Sequence, residues 1–408
     1  MTPKARLGRF LIFALILCAA AQLAHAQMKI DKAKSVKSMF VAPDGRVIIF
    51  YVKGRYRPVS CTISTDATAK KWSKPFPISR FGSAAMASDG TIYIACFSAR
   101  SFVLDAMVPG KEVWKHKKDL ARIHAIQSKG RILGPTTHLV IEKAVPAERL
   151  WVSCAWREDE NLGRQTVSTK RFIVLQADTD KLKFAKSWEG KGDFVKDYGH
   201  TTLSTWRNRP VLYSPQHYVC GLAAFDGKNW NVREKLFDYH TVNGWVGAYG
   251  SPPPRLTSTA NGYLHIAQYV SGMGNNTGGS YLISVSEGGK VSHLEIGAGR
   301  EVAQFVTTQA DSVIVGVKYT VIKRIEDFEE RYQNFYAICC TPDAATKKYK
   351  KAKQELSITE TETMKDNMAA PACIKPGAPL PVAYIEEGQL YFMYVAKPPA
   401  KRKTNPVQ

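Results

Sequence analysis

The sequence predicts an all-β protein, a β-propeller of four-stranded blades with seven blades preferred and six as the alternative. Three observations favour this fold. A short turn followed by a β-rich run recurs seven times, helical periodicity is nearly absent, and no Pro/Gly/Ser-rich linker divides the chain. Repeats of this length without helices are typical of propellers, whose blades are small sheets around an axis. A β-sandwich has the same composition but does not explain seven copies of one unit.

The first 26 residues predict a secretory signal peptide. Lys4, Arg6 and Arg9 precede an apolar run over residues 10–21, and residues 24–26 form a small-residue cleavage pattern. This run is shorter than the about 20 apolar residues that span a bilayer. We therefore expect a secreted or periplasmic monomer without a membrane span. Residues 27–396 form the predicted propeller, and the Pro- and Lys-rich residues 397–408 form a disordered basic tail.

The repeated unit supplies the turns and strands of the blades. Its copies begin at Asp44, Asp89, Ala147, Asn208, Asn261, Asp311 and Glu387. A Gly after Asp or Asn provides the positive φ of a tight turn, and the Val-, Ile- and aromatic-rich runs suit half-buried strands. Further strands are predicted at residues 59–63, 172–176, 282–285 and 335–339. The best helical candidate is residues 323–332, inside a loop.

The ends of the mature chain are expected to meet in one blade. The last strand pair, over residues 379–395, has no outer strands of its own in the sequence that follows. Residues 28–37 are expected to complete this blade and close the ring, and this expectation favours seven blades over six.

Charge and cysteine content restrict the partners and the compartment. The full chain carries a formal net charge of +22, and loss of residues 1–26 removes three positive charges and no negative one, leaving +19. Such an excess attracts anions, although it also aids solubility. For an exported chain we expect acidic polysaccharide or glycan rather than nucleic acid. The seven cysteines beyond residue 26 lie mostly in apolar runs, which predicts buried free thiols and no disulfide framework.

One short stretch carries a resemblance to a known family. STDATAKKW, residues 64–72, recurs in altered form as TPDAATKKY, residues 341–349. Residues 42–78 resemble the first blade of the sialidase superfamily, the bacterial neuraminidase repeat proteins, which carry a structural Asp box. The resemblance implies that Ser64 and Asp66 bond backbone N–H groups of a turn and that Trp72 packs between blades. Thr68 stands where the family has Gly, and one extra residue precedes Trp72.

Other features indicate that the chain is less similar to true sialidases than to other propeller proteins of this superfamily. Residues 238–269 are similar to a blade junction of a broader group that includes propeller polysaccharide lyases and secreted repeat proteins. The Arg-Ile-Pro expected near the first strand of a sialidase is missing. An Asp box is structural, so the resemblance implies a fold and leaves the activity open.

The connectivity of a propeller predicts which loops lie on each of its two faces, and so where the candidate site lies. If the strands run from the axis outward, the Asp-Gly turns share one face, and the chemically rich loops and blade links share the other. The catalytic candidates there are His138, His200, Tyr249 and Asp197. The candidates for substrate binding are Arg55, Arg57, Tyr198, His217, His240 and Trp245. His265 is interpreted as a wall or core residue, and His116 as solvated surface.

Two classes of function remain open from the sequence. An enzyme acting on anionic polysaccharide is one, because His and Tyr suit the proton transfers of a lyase and Arg suits a uronate carboxylate. Glycoside hydrolysis needs two carboxylates, and Asp197 with Glu158 or Asp159 is the candidate pair. The other class is a non-catalytic propeller that binds glycan or protein through its tryptophans. The cofactor is unknown, and no compact metal-ligand motif is present.

Overall fold

The computed structural model describes most of the chain beyond the first 27 residues. The described residues are 28–54, 58–110, 114–128, 130–143, 147–162, 165–190, 199–215, 219–238, 245–247, 253–272, 278–298, 301–325, 328–342, 349–360 and 368–395. Within these ranges the secondary structure consists of 30 strands, with no helix. The strands form seven antiparallel sheets arranged as a β-propeller, which confirms the preferred blade number. No described segment is a helix long and apolar enough to cross a membrane.

The first strand along the chain is β1 (Met28–Lys32), and the blades follow from β2 onward. Blade 1 contains β2 (Ser35–Val41), β3 (Val47–Val52), β4 (Val59–Ile63) and β5 (Phe76–Ile78). Blade 2 contains β6 (Ser83–Met86), β7 (Ile92–Ser98), β8 (Ser101–Val108) and β9 (Lys115–Ala125). Blade 3 contains β10 (Arg131–Glu142), β11 (Arg149–Leu162), β12 (Gln165–Asp178) and β13 (Ala185–Glu189).

Blade 4 contains β14 (Thr202–Trp206), β15 (Arg209–Pro215), β16 (Val219–Phe225) and β17 (Trp230–Asp238). Blade 5 contains β19 (Arg255–Ser258), β20 (Leu264–Gly272), β21 (Gly279–Val285) and β22 (Val291–Ala298), and β18 (Trp245–Gly247) also pairs with β20. Blade 6 contains β23 (Val302–Gln309), β24 (Ser312–Ile325), β25 (Phe328–Pro342) and β26 (Tyr349–Glu360). Blade 7 contains β27 (Met368–Ala369), β29 (Leu380–Glu386) and β30 (Gln389–Val395); β28 (Cys373–Ile374) pairs with β23.

The N-terminal strand closes the ring, as the sequence predicts. β1 pairs with β30 and supplies the outer strand of blade 7, with Met28 opposite Phe392. The Asp31 carboxylate also accepts a hydrogen bond from the Tyr51 hydroxyl of blade 1 and forms an ion pair with Lys53 at 2.7 Å. A single strand near the N-terminus therefore joins the last blade to the first.

The hydrophobic core is divided among the junctions between blades. Seven clusters of buried apolar side chains each join two successive blades. Strand β3 illustrates the cause: Val47, Ile49 and Tyr51 pack toward blade 7, and Ile48 and Phe50 pack toward blade 2. Because side chains alternate between the faces of a strand and both faces are covered, the sequence there is continuously apolar.

Six of the seven repeated turns join the innermost strand of a blade to the second strand. Gly45, Gly90 and Gly262 have positive φ in these turns, as the Asp-Gly and Asn-Gly pattern predicts. The copy at Glu387 differs, because its turn joins β29 to β30, the second and third strands of blade 7. The inner strand of that blade is instead the short β27, which has no repeated turn after it.

The Ser64–Trp72 turn of blade 1 makes a compact set of hydrogen bonds. Ser64 Oγ accepts from the Val47 N–H at 2.8 Å and donates to the Asp66 carbonyl at 2.7 Å. Asp66 Oδ1 accepts from the backbone N–H and the hydroxyl of Thr68. Trp72 packs edge-on against Phe392 of blade 7, with ring centroids 5.4 Å apart. The turn therefore braces its own blade and the junction that closes the ring.

In the second copy of this stretch, residues 343–348 lie outside the described residues, and Tyr349 begins β26. The Tyr349 hydroxyl lies 3.1 Å from Nε2 of His265, which belongs to the neighbouring blade 5. His265 is fully buried and also bonds Thr259 and Ser284. His265 is thus a core residue, as the sequence analysis interprets it, and it connects blades 5 and 6.

Burial of His265 makes the protein sensitive to acid. Burial lowers the pKa of this imidazole to about 3, against an ordinary value of about 6.5. Between these two pH values the unfolded chain binds the proton that the folded chain excludes, so stability falls as the pH falls. We expect His265 to account for about 2 kcal/mol of the stability lost between pH 7.5 and pH 5.

Urea unfolding of His265→Gln at the two pH values measures this contribution. The variant should be less stable than the parent at pH 7.5, because it loses buried hydrogen bonds, but its further loss on acidification should be smaller. His293→Gln is the matched control, since His293 is exposed on the outer strand β22. An acid-induced loss as large in His265→Gln as in the parent would contradict the assignment.

Two local predictions are wrong, and strand pairing and burial explain both. Residues 323–325 and 328–332 are paired strand residues of β24 and β25, with Ile325 opposite Phe328, because the strand register of blade 6 continues outward. His116 is not solvated surface: its Nε2 lies 3.4 Å from the fully buried carboxylate of Asp105, which also binds Arg80 at 3.0 Å. A buried carboxylate requires a compensating partner, and the Arg80 guanidinium supplies one.

Cysteine burial follows the prediction in five of seven positions. All seven described cysteines are free. Cys61, Cys96, Cys154, Cys220 and Cys340 are buried, Cys339 is half-buried, and Cys373 is exposed. Burial raises the pKa of the Cys61 and Cys154 thiols well above the ordinary value, so these side chains act as small apolar residues.

Candidate functional site

The inner strands of the blades surround a central channel of about 860 Å³. This volume lies in the range of small-molecule binding sites, about 300–1,000 Å³. Every blade contributes to its wall, so side chains separated by more than 300 residues in sequence face the same space. Five of the lining residues carry or can carry a positive charge, namely Lys37, His138, His200, Arg255 and Lys318.

His138 lies in the interior of the long inner strand β10, opposite Ser153 of β11. The residue before it, Thr137, donates a hydrogen bond to the Ala95 carbonyl of blade 2 at 3.1 Å. A Cβ atom on Gly82 would lie only 2.2 Å from Thr137 Oγ1, so this close approach requires glycine at that position. The contact holds β10 against blade 2 and thereby positions His138 along the channel.

The imidazole of His138 is neutral at neutral pH. Burial within the channel walls and, second, the positive charge of Arg255 lower its pKa to about 4. A neutral imidazole can donate one hydrogen bond and accept another, and it can take up a proton. Arg255 on β19 and His138 on β10 both line this channel.

His200 enters the channel from the residues just before β14. The preceding link to blade 3 is outside the described residues, but the segment that follows is well anchored. Thr201 is fully buried and donates to Ser214 Oγ at 3.0 Å. Thr202 Oγ1 donates to the His200 carbonyl at 3.3 Å. These bonds hold the backbone of His200 at the edge of blade 4, where its half-buried side chain lines the channel.

Three basic side chains of the channel were not predicted from the sequence. Arg255 is the first residue of β19, Lys318 lies on β24 opposite Val302, and Lys37 lies on β2. The register of β2 against β3 shifts between Val36 and Ser38, so Lys37 occupies a β-bulge. A bulge redirects a side chain relative to the regular alternation of the strand. That shift depends on tertiary pairing, and the sequence pattern carries no signal of it.

The charges on the channel wall are of one sign in the part of the chain that the structure describes. None of the described residues that line the channel is Asp or Glu. Walls of low polarisability strengthen the field of charges that line a cleft. The described wall therefore favours an anion over a cation or a neutral ligand.

The structure brings together two of the ten predicted site residues. His138 and His200 line the same channel. Trp245 lies on β18, whose backbone alone is described. The remaining seven calls lie outside the described residues; they are Arg55, Arg57, Asp197, Tyr198, His217, His240 and Tyr249.

Two of the carboxylates considered for hydrolysis, Glu158 and Asp159, do not line the channel. Glu158 accepts a hydrogen bond from Trp156 Nε1 at 2.6 Å. Asp159 accepts from Ser168 Oγ at 2.6 Å and lies 3.1 Å from Arg157 Nε; the Ser168 bond first, and Arg157, lower its pKa. Both carboxylates lie on β11, within the β11–β12 hairpin, and not on the channel wall. They stabilise that hairpin.

The tryptophans weighed as sugar-stacking groups pack within the protein. Trp156 is buried, with its ring 5.6 Å from that of Phe102. Trp230 packs against Trp151 and Trp188, and Trp206 donates a hydrogen bond to the Gly262 carbonyl of blade 5. These contacts make the three side chains part of blade junctions. No group of three His, Cys, Asp or Glu side chains among the described residues is arranged to hold a metal ion.

Comparison with known proteins identifies no family for the chain. No family model and no curated protein matches it. Among solved structures, it is similar to an acylaminoacyl peptidase of Pyrococcus horikoshii, at 11% identity over 87% of this chain and 51% of that chain, with a TM-score of 0.47. It is also similar to the GH93 α-L-arabinofuranosidase of Fusarium graminearum, at 12% identity over 78% and 92% of the two chains, with a TM-score of 0.40.

A luciferin-regenerating enzyme is a third similar structure, at 13% identity over 74% of this chain and 90% of that chain, with a TM-score of 0.40. Likenesses at such TM-scores are too distant to bear on activity. The assignment of the fold rests on the seven sheets themselves, and the candidate site rests on the channel.

Proposed function

We propose that this chain binds an anionic polysaccharide or glycan at its central channel and acts on it as a lyase. The observation that supports this proposal is the convergence of Lys37, Arg255 and Lys318 with His138 and His200 on one cavity. Arg255 would bind a uronate carboxylate, because a guanidinium presents two parallel N–H donors to it. The basic net charge would attract the polymer over a longer range.

The lyase reaction assigns a task to each kind of group. A base removes the proton from the carbon next to the carboxylate, and the electron pair forms a carbon–carbon double bond. The bond from the neighbouring carbon to the glycosidic oxygen breaks as that oxygen receives a proton. We assign the base to His138, the proton donor to His200, and the stabilisation of the developing negative charge to Arg255.

Tyr249 and Asp197 remain proposed partners of this machinery, the former in proton transfer and the latter in orienting His200. The proposed substrate contacts at the opening of the channel remain Arg55, Arg57, Tyr198, His217, His240 and Trp245. We also propose that the chain is exported and acts as a monomer outside the cytoplasm. The leader pattern in residues 1–26 supports export.

The relation to Asp-box proteins is likewise a proposal. The hydrogen bonds of Ser64 and Asp66 and the packing of Trp72 support it, because they match the structural role implied by the resemblance. The substitution of Thr68 for Gly is accommodated, since the Thr68 hydroxyl adds a bond to Asp66 at 2.6 Å.

A non-catalytic glycan-binding propeller is the second candidate, and one observation favours it. The pKa of His138 lies near 4, far from the neutral range in which a general base is most effective. As it stands in the empty channel, His138 is better suited to hydrogen bonding than to proton abstraction. The two functions share the same ligand and differ in whether a product forms.

Incubation with polygalacturonate separates these functions. A lyase releases an unsaturated product that absorbs near-ultraviolet light, a hydrolase releases reducing ends without that absorbance, and a binding module retains the polymer unchanged. We expect the absorbing product, with a loss of rate of about a hundredfold or more in His138→Asn and in His200→Asn. His293→Asn on the outer strand is the control and should retain full rate. If polygalacturonate is neither cleaved nor retained, the proposal is overturned. Reducing ends without the absorbance, or retention without product, would overturn its lyase part.

A further inference from the structure

His138 and Arg255 face the same channel from different blades. They lie on the inner strands of blades 3 and 5, on either side of blade 4, and both line the channel. In the empty channel the guanidinium opposes any positive charge on the imidazole. An anion at Arg255 would cancel part of that field and would itself attract a proton.

We propose that an anion held by Arg255 raises the proton affinity of His138, so that binding of the substrate carboxylate is coupled to proton uptake. This inference rests on the proposed function, because it places the carboxylate of the glycan at Arg255. The carboxylate of the bound substrate would then promote the reaction of that same substrate. The carboxylate converts His138 from a weak base into a competent one.

The surroundings of His138 in the described part of the chain leave Arg255 as its main electrostatic partner. Ser153 lies opposite it on β11, and the inner strand of blade 2 presents the uncharged Gly82 and Ser83. Blade 4 contributes His200 to the same cavity, and blades 1 and 6 contribute Lys37 and Lys318. Of these groups, Arg255 is the one whose positive charge, after burial, lowers the pKa of His138.

The size of the effect follows from general electrostatics. An opposite charge within about 4–6 Å shifts a pKa by about 1–3. If the bound carboxylate lies within that distance of the imidazole, the pKa of His138 rises from about 4 to about 5–7. A base with a pKa in that range is closer to the optimum for proton abstraction at neutral pH.

Linkage sets the sign of the pH dependence. When binding raises the pKa of His138, the complex takes up protons between the two pKa values, so affinity increases as the pH falls through that window. Above both values the imidazole is neutral in both states, and affinity is constant. The carboxylate of the ligand stays largely ionised at pH 5, because ordinary carboxyl groups titrate near pH 4.

Calorimetry of the full chain with D-glucuronate at pH 5 and pH 7.5 tests the coupling, with neutral D-glucose as the control ligand. We expect glucuronate to bind about threefold or more tightly at pH 5, with proton uptake revealed by buffers of different ionisation enthalpy. The dependence on pH should vanish in His138→Asn. NMR titration of the His138 ring, identified by its loss in the same variant, should show a higher pKa with glucuronate present.

Each outcome decides the question. Binding of glucuronate that is independent of pH overturns the coupling and leaves the proposed function standing. A pH dependence that persists in His138→Asn also overturns it, because another group then carries the proton. If glucuronate and polygalacturonate both fail to bind at either pH, the proposed function falls together with the coupling. In Arg255→Met, the pKa of His138 should rise without ligand and should no longer respond to glucuronate.

Discussion

Replacement of Arg255 by methionine should weaken the binding of polygalacturonate by about a hundredfold or more. Loss of a hydrogen-bonded charge partner within a binding site costs about 2–5 kcal/mol, and each 1.4 kcal/mol is a tenfold change in affinity. Methionine retains most of the aliphatic volume of arginine, so the variant removes the charge and the paired donors with little change in packing. If the lyase proposal holds, turnover should fall together with affinity.

The matched control for this variant is Arg122→Met. Arg122 lies exposed on β9, the outer strand of blade 2, so this substitution changes the net charge equally but far from the channel. Binding isotherms at one fixed salt concentration compare the two variants, and thermal unfolding verifies that both remain folded. Equal loss of affinity in the two variants would mean that overall charge, and not the channel, attracts the polymer.

Deletion of Met28–Lys32 should produce the largest loss of stability among the changes considered for this chain. The deletion removes the outer strand of blade 7 and the backbone pairing with β30. It uncovers the junction between blades 7 and 1, in which Phe392 and Tyr51 are fully buried. It also removes Asp31, the acceptor for the buried Tyr51 hydroxyl, and an unsatisfied buried polar group costs about 1–3 kcal/mol.

Thermal unfolding of the two forms measures this contribution. We expect the melting temperature to fall by about 10 °C, because a loss of several kcal/mol corresponds to about 2–4 °C for each kcal/mol in a large domain. Deletion of residues 404–408 is the control, since it removes the same number of residues from a tail that is predicted to be disordered. An unchanged melting temperature after deletion of β1 would show that the other six junctions hold the ring without it.

The repeated architecture could be predicted from the sequence because its signals are local. Each Asp-Gly or Asn-Gly turn and the apolar run after it lie within about ten residues, and the same steric rules act on every copy. The ring closure could also be anticipated, because the last strand pair lacks outer strands and residues 28–37 can supply one. The helical candidate at residues 323–332 was wrong because strand pairing in blade 6 overrides a weak local periodicity.

The candidate site could be predicted only in part. His138 and His200 were selected because each follows small polar residues where an inner strand was expected, and both line the channel. Arg255, Lys37 and Lys318 were missed, since their sequence surroundings resemble those of many solvated basic residues. Glu158 and Asp159 were considered for catalysis, but their hydrogen bonds tie them to the β11–β12 hairpin.

The sequence by itself predicted a ring of similar sheets, with seven preferred over six, and predicted that residues 28–37 complete the last of them. Both results depend on turns and apolar runs whose residues lie close together in the sequence. Tertiary structure alone decided which side chains share the channel, because closing the ring brings together residues from positions 36 to 372. It also decided the orientation of Lys37 through a shift of strand register, and the protonation of His138 through the nearby charge of Arg255. Bulges and electric fields depend on the assembled blades, and no local pattern encodes them.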